Sequence, residues 1–256
     1  MLSLTIGSRF DVDVIESLLP TIQNINISFF GSPSSFQLDG GRIVSSDMGN
    51  FFQFIDQLRD LHIPFNICAN TTLDSDQISI SQKTWEILEY AYSSVNGVVV
   101  SRHWLAEKIR NRFPDYNMIF SSIGILSEKW DEYRLFSEYQ TVVCPVIKTN
   151  DFKLLKNDEN WKKLEIFLNN ECIGFDDNCI KHYQFNSKVN ARLIKNCGFI
   201  CPNIKTGRKC SRNIQPTYYD ITKYVDMGVT KFKVIERISL IQDYQRYITL
   251  LSQASS

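Results

Sequence analysis

Eight short runs rich in apolar and β-branched residues recur along this chain, most of them followed by a stretch with helical spacing. The runs are Leu2–Ile6, Ile25–Phe30, Phe65–Ala69, Gly97–Val100, Asn117–Ser121, Thr141–Val146, Leu164–Leu168 and Lys231–Ile235. Between them, apolar residues fall at i, i+3 and i+4. Phe51, Phe54, Ile55 and Leu58 follow Asp47, a candidate N-cap, and Trp85, Leu88 and Tyr92 follow Ser81. Further helices are expected over Arg102–Arg112, Ser127–Phe136, Thr217–Met227 and Ser239–Leu251. Strand–helix alternation implies right-handed βαβ units and a parallel sheet. Eight units in 256 residues match a TIM-like (β/α)8 barrel, the expected fold for residues 1–256 as one α/β domain. A doubly wound open sheet is the competing architecture. The segment GSRFDVD after the first strand carries no glycine-rich phosphate fingerprint to favour it.

Two connections exceed simple turns: Gly31–Ser46 after the second run and Asn169–Pro216 after the seventh. Each follows the C-terminal end of a strand, the end at which such barrels carry their active sites. The second reads as a long cysteine-rich loop. It holds five of the seven cysteines, Cys172, Cys179, Cys197, Cys201 and Cys210, together with His182.

The opening MLSLTIGSRF has neither a basic region nor a long apolar one, and no run nears the roughly 18 apolar residues of a bilayer span. A cytoplasmic protein without membrane contact is therefore expected. That compartment, with an odd number of thiols, disfavours a disulfide framework. A net charge of zero argues against broad nucleic-acid binding but leaves a local RNA contact open. The cysteine spacing lacks the paired C-x2-C of zinc ribbons. A [4Fe–4S] cluster, a zinc ion and unligated redox thiols all stay open. Cys68 and Cys144 sit in apolar runs and read as buried small hydrophobes.

The segment LNNECIGFDDNCIKHYQFN resembles the signature of the collagenase-like peptidase family, peptidase family U thirty-two. FFGSPSSFQLDGGR is similar to that family's early glycine–arginine loop and FNICANTT to its third-strand asparagine segment. YYDITKYVDMGVTKFKVIER is similar to its closing helix–strand tract. The resemblance spans roughly residues 24 to 240. It implies a TIM-like barrel and, as in several members, a [4Fe–4S] cluster. Carried over by position, Cys172, Cys179 and Cys197 match cluster ligands, and Cys201 and Cys210 compete as the fourth. It implies an O2-independent hydroxylase or related redox enzyme acting on a small molecule, a peptide or a nucleobase, with prephenate among the candidate oxygen donors. It also admits a non-catalytic, cluster-bearing subunit of a heteromer with a larger family member. The element QPTYYD stands where larger members carry arginine–proline–glutamate.

Other candidates stand at strand ends. Arg42 offers a planar fork for a carboxylate or phosphate. Asn70 is expected to point into the barrel mouth, Glu171 is the acid–base candidate, and His182 is set to ligate, to move a proton or to orient the loop. Together with Phe29, Phe30 and Phe36 they suggest a mouth suited to an anionic or aromatic ligand. Lys233 is expected inside the barrel, where a cation needs a partner such as Glu165 or Glu236. A peptidase would need an activated nucleophile or a metal-bound water, and no HExxH, GxSxG or Cys–His pairing is visible.

Overall fold

A computed structural model describes residues 1–22, 24–34, 36–41, 48–127, 132–145, 158–169, 177–199, 218–235 and 241–255. Eight parallel strands close into a barrel in chain order. They are β1 (Leu2–Gly7), β2 (Ile25–Gly31), β3 (Phe65–Ala69), β4 (Gly97–Val100), β5 (Asn117–Phe120), β6 (Thr141–Val143), β7 (Leu164–Phe167) and β8 (Lys231–Val234). Closure is made by β1 on β8, where Thr5 pairs with Lys233 and Ile6 with Val234.

The helices are α1 (Val12–Leu18), α2 (Met48–Asp60), α3 (Gln82–Tyr90), α4 (His103–Arg112), α5 (Ser122–Ser127), α6 (Glu132–Glu138), α7 (Asp177–Asn190), α8 (Tyr218–Asp226) and α9 (Ile241–Ala254). α2 buries Phe51, Phe54, Ile55 and Leu58, the stripe that its periodicity predicts. The hydroxyl of Ser81 caps α3 by accepting from the Thr84 N–H at 3.3 Å. α1 escapes sequence reading. It is seven residues long with two buried side chains, Ile15 and Leu18, too few for a periodic signal, and Asp11 caps it. Within the span of the helix expected over Ser127–Phe136, α6 runs from Glu132, and residues 128–131 lie outside the described residues; α5 ends at Ser127, where the span begins. Among the described residues no helix is long and apolar enough to cross a membrane.

Strand residues alternate between two environments, as period-two geometry requires. Leu4, Ile6, Ile27, Phe29, Ile67 and Val98 join the helices in the main core. The opposite set faces the barrel axis. There Phe30, Cys68, Val99, Ile119 and Val143 form a second apolar cluster, with Phe167 packed against it. This cluster is a plate across the barrel. Two residues further along the strands lie Asn70, Ser101, Ser121 and Asn169, toward the C-terminal mouth. Two residues earlier lie Ser28, Asn66, Asn117, Thr141 and Glu165. One barrel interior thus has two polar ends separated by an apolar partition.

Lys233 sits beside that partition, its ammonium 3.9 Å from the Phe30 ring centroid. It pairs with Glu165 at 3.2 Å, both side chains buried, and the Thr5 hydroxyl donates to the other carboxylate oxygen at 2.6 Å. Removing either partner of such a pair strands a desolvated charge, which costs about 3–5 kcal/mol. Cys68 and Cys144 are buried, one in the partition and the other in the main core, as small hydrophobes.

Candidate functional site

The C-terminal mouth is organised around the end of β3. Asn70 is buried there, and its amide oxygen accepts the Gly40 N–H at 3.0 Å. It therefore holds the β2–α2 connection rather than facing open solvent. Asp39, one residue earlier, accepts the Gly41 N–H at 2.7 Å and the Ser32 hydroxyl through its other oxygen. Asp39, Gly40 and Gly41 are thus pinned immediately before Arg42. A Cβ at Gly40 would stand 2.6 Å from the Asn70 carbonyl oxygen and 2.7 Å from the Ser187 hydroxyl. Only glycine lets the two chains approach so closely.

Ser187 belongs to α7, which corrects the expected irregular loop after β7: part of the cysteine-rich stretch is a regular helix seated on the mouth. Three of its side chains bind it to the rim. The Ser187 hydroxyl accepts the Thr72 N–H at 3.0 Å, while Asn186 and Asn190 donate to the carbonyls of Gly41 at 3.0 Å and Asp39 at 2.6 Å. The spacing of 186, 187 and 190 puts these groups on one helical face. The rim is braced in turn by Arg102, whose guanidinium donates twice to the Thr72 carbonyl, at 3.1 and 2.6 Å. Sequence reading missed Asp39, Arg102, Asn186, Ser187 and Asn190. A polar stripe on an apolar-poor helix was the signal available for the last three.

α7 also carries position 179 in its first turn and His182 three residues on. The His182 ring stacks face to face on Phe199, with centroids 4.7 Å apart and planes 6° apart, and Phe185 packs on the same ring of Phe199 at 5.6 Å. The chain after α7 therefore folds back along the helix. Cys197, two residues before Phe199, is exposed with a free thiol. It sits at the apex of a turn in which the Asn196 side chain accepts the Gly198 N–H at 3.1 Å. Gly198 adopts φ +76°, which L side chains disfavour. Ring stack and turn together lay the segment of Cys197 alongside the part of α7 that carries His182.

Arg42, Glu171, Cys172, Cys201 and Cys210 lie outside the described residues, as does the side chain of Cys179. Among the described residues, no three His, Cys, Asp or Glu side chains converge as a metal site. The aromatic mouth expected from Phe29, Phe30 and Phe36 needs correction. Phe29 faces outward onto Phe54 of α2 at 5.4 Å, Phe36 is buried in the main core, and Phe30 is part of the partition. Period-two alternation forces Phe29 and Phe30 to opposite faces. Ser121, directly after β5, is buried, and His103, at the start of α4, bonds the Tyr139 hydroxyl at 2.8 Å in a structural role.

No family model matches this chain, and no curated protein matches it. Among solved structures it is similar to that of the U32 peptidase Mk0906. The TM-score is 0.58 at 11% sequence identity, over 91% of this chain and 92% of that one. At that identity the likeness is one of fold: both chains are built on the same barrel over nearly their full lengths.

Proposed function

We propose that this chain is a divergent member of the collagenase-like (U32) peptidase family that carries an iron–sulfur cluster at its C-terminal mouth. The observation that supports this best is the way α7 is seated. It docks on Asp39, Gly41 and Thr72 at the mouth and carries position 179 in its first turn, and Phe199, two residues after Cys197, stacks on His182 of the same helix. The donor set fits the group. Burial assigns Cys68 and Cys144 to packing, which leaves the five cysteines of the 172–210 stretch for a cluster, with Cys172, Cys179 and Cys197 as ligands and Cys201 or Cys210 as the fourth. A [4Fe–4S] cluster supplies one-electron chemistry and, with an exchangeable iron position, a place to activate an oxygen donor. Beside it, Asn70 and Asp39 hold Gly40 and Gly41, and Arg42, next in the chain, is the residue assigned to an anionic ligand such as prephenate. His182, clamped by Phe199, and Glu171 are the groups to move protons. The activity is that of an O2-independent hydroxylase or related redox enzyme.

Anaerobic purification with iron, sulfide and zinc analysis tests this reading. The expected result is a broad absorbance near 400 nm with about four iron and four sulfide per chain. Cys197→Ala should lose both, and activity with them. One zinc per chain and no colour would replace the reading with a zinc centre. A cluster that supports turnover only beside a larger homologous subunit would make the chain a heteromer's cluster-bearing partner.

A further inference from the structure

The opposite end of the barrel holds a cavity that the cluster reading does not use. It measures about 530 Å³ and is reached from the N-terminal ends of the strands. Barrels of this kind usually fill that level with bulky branched side chains. Here the axis-facing residues are short and polar, with Ser3, Thr5, Asn26, Ser28 and Asn66 on the first three strands, so the space stays open. On β4 the residue beside Asn66 is Gly97, where a Cβ would stand 2.4 Å from the Asn66 amide oxygen. The apolar partition with Ile119 closes the cavity toward the mouth.

Its charges are unequal. Glu165 is engaged by Lys233 at 3.2 Å and Thr5 at 2.6 Å. A second cation, Lys231, also lines the cavity. It donates to the Gln140 carbonyl at 3.0 Å and the Thr141 hydroxyl at 2.6 Å, both neutral acceptors. Burial pushes the Lys231 pKa below its usual value, and Glu165 opposes that shift only partly. An anion in the cavity would relieve this desolvation. Among these polar groups the lining also has an apolar part, with Ile22, Ile25, Ile63 and Pro64. A mixed wall of this kind, with one charged group fixing orientation, is the usual form of a small-molecule site.

We infer that the N-terminal cavity binds a small monocarboxylate with an apolar body, its carboxylate on Lys231 and its body against Ile25, Ile63 and Pro64. One ammonium matches one negative charge. A dianion would bring a second charge for which the described lining offers no second Lys or Arg, only His62, and a cation would be repelled by Lys231. The inference stands independently of the cluster, since the partition separates the two ends.

Calorimetric titration of the full-length protein with benzoate tests it, with benzyl alcohol as the neutral counterpart. Saturable one-to-one binding is expected for benzoate, weakened about tenfold or more in Lys231→Met by loss of a charged hydrogen bond, with benzyl alcohol little affected. Ile63→Trp, which fills the cavity and leaves the Lys231 hydrogen bonds alone, should abolish benzoate binding and covers the case in which Lys231→Met fails to fold. Absence of saturable binding to the wild type, or equal binding to the wild type and a folded variant, would overturn the site. Neither result depends on iron content, so failure here leaves the cluster reading standing, and the reverse.

Discussion

The two ends of this barrel use polar residues in opposite ways. At the C-terminal mouth, polar side chains are spent on backbone. Asn70 holds Gly40, Ser187 holds Thr72, and Asn169 accepts the Ile235 N–H at 2.7 Å. The result is a rigid rim with a helix bound across it. At the N-terminal end, short polar side chains surround space, and the partly buried Lys231 ammonium donates to the neutral oxygens of Gln140 and Thr141. The mouth is built to hold a covering segment in place, the other end to admit a small guest. The partition of Phe30, Cys68, Val99, Ile119 and Val143 lets one barrel do both, because it keeps the two polar environments from merging.

The largest effect is expected at the link between partition and cavity. Glu165→Leu strands the Lys233 ammonium in a buried position and should cost about 3–5 kcal/mol in urea unfolding. A loss under about 1 kcal/mol would mean that water reaches Lys233 and that the partition is not dry.

Gly40→Ala should follow, at about 1–3 kcal/mol, since the added methyl meets the backbone of Asn70 and the hydroxyl of Ser187. Its signature is local. Amide exchange in α7 should quicken while β4 and β5 stay protected. Uniform loosening of the barrel would show that the helix is not a separately seated cover.

The smallest effect is a pH slope. Lys231 has a lowered pKa in the folded state, so between that value and the unfolded 10.5 the unfolded chain binds more protons. Its contribution to stability should therefore rise as pH is raised through that window. Comparing melting temperatures of the wild type and Lys231→Met over about pH 8 to 10 isolates this slope, and benzoate should reduce it by favouring the charged ammonium. An identical slope in the variant would remove Lys231 as its source.

The strand pattern, the α2 stripe, the Ser81 cap and the burial of Cys68 and Cys144 were legible in the sequence, because each depends on local periodicity or on the chemistry of a single residue. The pairing of Lys233 with Glu165 was legible as one of two options, and only barrel closure chose between the candidates. What local rules could not reveal was contact across the fold. Asn70 was legible as a residue of the mouth, but not its clamp on Gly40, thirty positions earlier. Phe29 and Phe30 looked alike, and alternation sent them to opposite faces.

The amino-acid sequence by itself determined the (β/α)8 architecture and gathered five thiols and a histidine after the seventh strand, since hydrophobic period and residue chemistry are written along the chain. Tertiary structure alone decided that α7 docks on the rim of the mouth and that Phe199 returns to stack on His182. It alone decided, too, that short polar residues from separate strands leave a cavity at the far end. Those outcomes depend on which distant segments meet when the barrel closes, and no local pattern encodes that meeting.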